Sequence, residues 1–156
     1  MPRAVITSRR GAVVLLIAPL LCWGDGSLRA ADTQTVEIVT KSGIRTFMVE
    51  VARTEDQVKK GLSGRKTLPD GTGMLLDFRS EVQAAMGTKD TLVPLDMIFI
   101  RGNGRIHRIA EDVEPLSSRQ IYSNGPVRAV LEVIGGTARK LGIAVGDRVA
   151  HPIFRP

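Results

Sequence analysis

Apolar and polar residues alternate from Val36 to Thr40 and again from Ile44 to Ala52, where Phe47, Val49 and Val51 share one parity, with Lys41-Ser42-Gly43 between the two runs. Period-two alternation on either side of a turn predicts a β-hairpin. Thr54-Glu55-Asp56-Gln57 has the spacing of a capping box, in which the threonine hydroxyl accepts the N–H three residues on and the glutamine reaches back. Val58 and Leu62 then share a helical face, and Gly61 and Gly64 flank its end, so a short helix from about Glu55 to Leu62 is expected. Ser63 to Gly73 is a loop, punctuated by Gly64, Pro69 and Gly71, and Gly73 to Phe78 is a strand. Glu81 to Met86 fits either a helix or a turn.

The densest pattern follows, Lys89-Asp90-Thr91-Leu92-Val93-Pro94-Leu95-Asp96-Met97-Ile98-Phe99-Ile100. Pro94 fixes its own φ and lacks an N–H donor, so Val93 to Leu95 is an extended approach and the strand begins near Leu95. Met97 to Ile100 runs apolar without alternation, the mark of a strand covered on both faces or central in a small barrel. Arg101 to Arg105 closes a hairpin through Asn103-Gly104, and Ile106 to Val113 continues it with neither face cleanly apolar. Pro115 to Gly125 is irregular, Val127 to Ile134 is a strand, and Ala138 to Leu141 makes one or two helical turns ended by Gly142. Gly146-Asp147 turns the chain into a last strand, Arg148 to Phe154. About seven strands and two short helices predict a mainly β domain of the α+β kind, a compact antiparallel barrel or sandwich.

Ahead of this domain the pattern changes. Arg3, Arg9 and Arg10 appear without an acid, Gly11 to Trp23 is almost wholly apolar, and Asp25 to Ala31 is small and polar. That is the three-part plan of a secretory signal. The apolar run falls short of the ~20 residues of a spanning helix and contains Pro19. Residues 1–31 are therefore expected to be a signal peptide, 32–45 a strand and turn leading in, and 46–156 a single periplasmic or secreted domain. An uncleaved anchor is the alternative, so contact with the membrane is expected only through the leader. Cleavage would remove four of 22 basic residues (Arg3, Arg9, Arg10, Arg29) and one of 16 acids (Asp25), leaving a net charge of +3. With no basic run and few aromatic residues, nucleic-acid binding is not expected. Cys22 lies in the leader, so the processed domain has no thiol for a disulfide, a metal or nucleophilic catalysis.

Val49-Glu50-Val51-Ala52, Gly61-Leu62, Arg65, Gly73-Met74-Leu75, Lys89-Asp90-Thr91, Pro94-Leu95-Asp96 and Gly146-Asp147 resemble the bacterial and archaeal family called domain of unknown function 192, over about Thr46 to Val149. The resemblance implies a compact β-rich domain, frequently exported, and carries over no reaction, cofactor or catalytic residue. The departures are informative. Where the family usually has Gly-Leu-Met-aromatic-Arg, this chain has Gly61-Leu62-Ser63-Gly64-Arg65, and where it usually has aromatic-Trp-Met-Lys-Asn-Thr, this chain has Met86-Gly87-Thr88-Lys89-Asp90-Thr91. In a closed core each truncation would cost ~2–5 kcal/mol, and four would consume a folding margin of ~5–15 kcal/mol. Ser63, Gly64, Gly87 and Thr88 are therefore expected to line one surface or groove that this chain has widened or given up.

Arg65, Lys89, Asp90 and Asp96 are the polar residues closest to that motif, and an arginine can hold a carboxylate or phosphate bidentately. The alternative makes Asp90 or Asp96 a turn cap and Arg65 an ion-pair partner. His107 and His151 stand 44 positions apart without zinc-site spacing, and Ser117, Ser118 and Ser123 lie in no Gly-x-Ser-x-Gly elbow. No metal or cofactor is expected. The expectation is noncatalytic binding of a small molecule, glycan or envelope protein at Ser63, Gly64, Arg65, Gly87, Thr88, Lys89, Asp90 and Asp96. The alternatives are an envelope enzyme with Lys89, Asp90 and Asp96 as acid–base groups, a drifted paralogue that binds nothing, and a structural envelope component.

Overall fold

The computed structural model describes residues 33–154, so the leader expected over 1–31 lies outside the described residues. The chain builds one seven-stranded sheet from β1 (Thr33–Thr40), β2 (Gly43–Ala52), β3 (Thr72–Met86), β4 (Leu95–Ile100), β5 (Ile106–Val113), β6 (Ile121–Ile134) and β7 (Arg148–Ala150). Its strand order is β5-β4-β6-β3-β2-β1-β7. The sheet curls until its two edges touch. The Ile106 N–H donates to the Asp147 carbonyl at 3.0 Å, the Gly146 N–H to that of Ile106 at 2.9 Å, and the Val149 N–H to that of Gly104 at 2.8 Å. The fold is thus mainly β and barrel-like, with two short helices, α1 (Glu55–Lys60) and α2 (Thr137–Leu141).

Alternation decides what fills the curl. Val36 and Ile38 of β1 and Phe47 and Val49 of β2 point inward, where they meet Leu75, Ile98, Ile100, Leu131 and Val133. Strands β4, β6 and β3 are covered on their outer face as well. Leu76, Met97, Phe99 and Val130 pack there with Leu62, Leu68 and Val93 from the connections and Ile121 from the start of β6. This double cover is why Met97 to Ile100 shows no alternation: consecutive residues face different apolar layers, and all four are fully buried.

The strands pair antiparallel except β2 and β3, which run parallel from Met48↔Thr72 to Ala52↔Leu76. A parallel pair needs a crossover, and α1 with its following loop supplies it. The capping box starts α1: Thr54 Oγ1 accepts the Gln57 N–H at 3.2 Å, and Gln57 Oε1 accepts the Thr54 N–H at 3.1 Å. The helix stops at Lys60, two residues before its expected end, because Gly61 leaves helical geometry with φ 44° and ψ −133°.

Three further boundaries differ from the sequence expectation. Residues 81–86 belong to β3, which pairs with β6 through Ala85↔Tyr122 and Met86↔Ile121 after an irregularity between Asp77 and Val82. Arg79 at φ 63° and its N–H bond to Asp77 Oδ1 at 2.7 Å break the alternation that would have marked a continuous strand. The same pairing draws Ile121 to Gly125, expected to be irregular, into the start of β6. At the other end β7 has only three residues, since Pro152 lacks the N–H to continue and a 3₁₀ turn, Pro152–Phe154, follows.

Candidate functional site

The loop after α1 and the loop before β4 meet in space, with the Gly64 N–H donating to the Asp90 carbonyl at 2.7 Å. Between them and the far end of β3 opens a pocket of about 400 Å³, with Gly61, Ser63, Gly87, Lys89 and Asp90 around it. Val58, Leu62, Phe78 and Met86 form its apolar walls, and Gln120 lies at its edge.

Glu132 also lines this pocket, and it comes from the middle of β6. It stands opposite Met74 of β3 and Met97 of β4 on the outer face of the sheet. Its residue exposure is 3%, and its Oε2 has no hydrogen-bond partner. A carboxylate removed from water without a partner is costly, so protonation becomes easier. Burial pushes the Glu132 carboxyl up from 4.5 to about 7. Gly73 lets β3 approach the Glu132 backbone closely. A Cβ on Gly73 would stand 2.3 Å from the Glu132 carbonyl oxygen, and one on Gly61 would stand 3.6 Å from Oε2.

Charges gather at the rim. Lys59 pairs with Glu55 at 3.1 Å, whereas Lys60 and Lys89, both exposed, have no ion pair with another described residue. Ser63, Gly87, Lys89 and Asp90 of the expected site are thus brought together, and Gly64 sits beside them facing open space. The other three are elsewhere. Arg65 pairs with Glu50 on β2. Thr88 is fully buried and donates its hydroxyl to the Glu114 carbonyl at 2.7 Å, so a small polar side chain occupies a closed position with its bond made. Asp96, also fully buried, accepts the N–H groups of Asp112 at 2.8 Å, Gly136 at 3.0 Å and Ala138 at 2.7 Å. Lys89, Asp90 and Asp96 therefore do not converge: Asp96 is a cap that ties β4 to the end of β5 and the start of α2.

The residue that sequence reasoning missed is Glu132. Its signal was available, a lone acid inside Val130-Leu131-Glu132-Val133-Ile134. A charge at the centre of a buried strand is either paired or functional. The histidines lie apart from the pocket: His107 Nδ1 is 2.9 Å from the Arg101 guanidinium, and His151 Nε2 is 2.9 Å from Gln34. Among the described residues no group of three His, Cys, Asp or Glu side chains is placed to hold a metal. A second hollow, at the seam between β1 and β7, is lined by Val39, Lys41, Arg105, Val145 and Arg148 and contains no buried unpaired group.

The model of the family described as DUF192, "Uncharacterized ACR", matches residues 37–151. A crystal structure from Sinorhizobium meliloti, described only provisionally as a transcription regulator, is 37% identical, with 78% of this chain and 95% of that chain covered at a TM-score of 0.75. A protein of unknown function from Novosphingobium aromaticivorans is 35% identical, with 76% of this chain and 85% of that chain covered, also at a TM-score of 0.75. No curated protein matches the sequence.

Proposed function

Starting from the chain's membership of the domain of unknown function 192 family, we propose that it is an exported protein that binds a small molecule, without transforming it, in the pocket above Glu132. The observation that carries this reading is the buried, unpartnered Glu132 Oε2 at a pocket of about 400 Å³. A native domain leaves few buried polar atoms unsatisfied, and each asks for an explanation. A ligand that supplies the missing hydrogen bond is one. The volume suits a small molecule, and the mix of apolar walls with a few polar groups is the usual make-up of such sites. The provisional description of the S. meliloti relative does not favour nucleic acid here, because the domain has neither a basic run nor stacking aromatics.

A thermal-shift screen of the purified protein against metabolites, glycans and their building blocks tests the reading. A ligand at 100 times its Kd should add about 2.7 kcal/mol of stability. The stabilisation should shrink in Glu132→Gln. Silence across the panel would leave a drifted domain that binds nothing. Export is tested separately by the mass of the protein recovered from the periplasm of a bacterial host. A chain beginning after Ala30 or Ala31 is expected, and an intact leader on protein held in the cytoplasm would contradict it.

One observation favours a second reading. A carboxyl raised to about 7 can exchange a proton near neutral pH, which suits an acid–base catalyst. In that case Glu132 takes the role first expected of Lys89, Asp90 and Asp96. Conversion of a bound compound, lost in Glu132→Gln while binding persists, would establish catalysis.

A further inference from the structure

We infer that the occupant of this pocket is a compact hydroxylated anion of the sugar-acid kind, with a hydroxyl bonded to Glu132 and its carboxylate held by Lys60 and Lys89; this rests on the pocket being a ligand site.

The floor of the pocket is formed by Glu132. Glu132 Oε2 lacks a partner, and its strand neighbours Met74 and Met97 and the walls Val58, Leu62 and Phe78 offer no donor. A ligand group able to supply the missing partner is an ammonium or a hydroxyl. The rim decides between them. Three lysines, Lys59, Lys60 and Lys89, face the opening against a single acid, Asp90, and only Lys59 is engaged by a carboxylate, that of Glu55. That balance draws an anion and disfavours a cation.

Proton chemistry agrees. An ammonium satisfies Glu132 only when the carboxyl is ionised. A hydroxyl donates to the carboxylate and accepts from the neutral acid, so it satisfies the group in both states. The remaining polar side chains, Ser63, Thr91 and Gln120, suit further hydroxyls, with Gln120 Nε2 3.5 Å from the position of a Cβ on Gly87. Phe78 and Met86 offer apolar surface to the C–H face of a ring. At about 400 Å³ the pocket accommodates one or two rings, not a long chain. The same chemistry occurs in a free sugar acid and at the end of an acidic polysaccharide.

Calorimetric titration tests this with four probes: glucuronate, glucose, glucosamine and a short oligogalacturonide. Glucuronate or the oligomer should bind, glucose at least tenfold more weakly, and glucosamine not measurably. Exposed Lys60 and Lys89 can be replaced without disturbing the fold, and Lys60→Gln with Lys89→Gln should weaken the acid by about tenfold or more while leaving glucose unchanged. Binding of the monomer would assign a free sugar acid, and binding of the oligomer alone a polysaccharide end. Tighter binding of glucosamine than of glucuronate, lost in Glu132→Gln, would overturn the ligand class while the pocket remained a ligand site. No binding by any probe, together with a silent metabolite screen, would overturn the site itself.

Discussion

Glu132→Gln is expected to stabilise the protein above neutral pH and to weaken ligand binding. The folded-state carboxyl is raised from 4.5 to about 7 by burial alone. The charged groups around the pocket are Lys59, Lys60, Lys89 and Asp90, and none of them enters as a cause of the shift. A group with a raised folded value binds protons in the folded chain at a pH where the unfolded chain has released them. Its contribution to stability is therefore fully present below about pH 4.5 and is lost as the pH rises through about 7. The shift corresponds to a loss on the order of 3 kcal/mol. Glutamine has no charge to desolvate and escapes this loss, although its buried amide also lacks partners. The two proteins should match near pH 4.5 and diverge by about 3 kcal/mol at pH 8, roughly 10 °C in Tm. Urea unfolding at both pH values measures the divergence, and parallel curves would mean that the carboxyl is not desolvated. A residue retained against such a loss is the pattern of a functional site.

Asp96→Ala is expected to be more damaging. One carboxylate accepts three backbone N–H groups, from the end of β5, the turn after β6 and the first turn of α2. A buried donor left unsatisfied costs about 1–3 kcal/mol; of the three bonds that to Ala138 is buried and the other two are half-buried and partly recovered by water, so the loss should be on the order of 3–6 kcal/mol rather than the full sum. That is a large part of a folding margin of ~5–15 kcal/mol. Asp96→Asn keeps one acceptor oxygen but turns an NH₂ group toward an N–H, and should fall between the two. Thermal melts followed by circular dichroism will rank the three proteins. A loss below about 1 kcal/mol in Asp96→Ala would show that the cap is dispensable. The same variant separates structure from chemistry, because Asp96 lies outside the pocket and should affect binding only through folding.

Much of the fold was legible because local signals and tertiary structure agree. The hairpin of β1 and β2, the capping box of α1, the apolar run of β4 and the Gly142 cap of α2 each announce themselves in a few residues. The errors cluster where long-range pairing overrides local pattern. Glu81 to Met86 and Ile121 to Gly125 are strands only because they find each other across a bulge. The site was legible by half. Two loops with small residues in place of large ones suggested a shared surface, and Ser63, Gly87, Lys89 and Asp90 do surround one pocket. Which polar residue faces it was hidden: the motif acid Asp96 turns away to cap backbone N–H groups, while Glu132, some 40 residues on, faces the pocket because β6 lies beside both β3 and β4.

A carbon-13 NMR titration of the Glu132 carboxyl, assigned by the signal lost in Glu132→Gln, measures directly the protonation state that gives the pocket its need for a ligand. A midpoint near the value of about 7 is predicted for the free protein. A midpoint at an ordinary carboxylate value, close to 4.5, would mean that water or a protein partner already satisfies the group, and the pocket would lose its reason for a ligand.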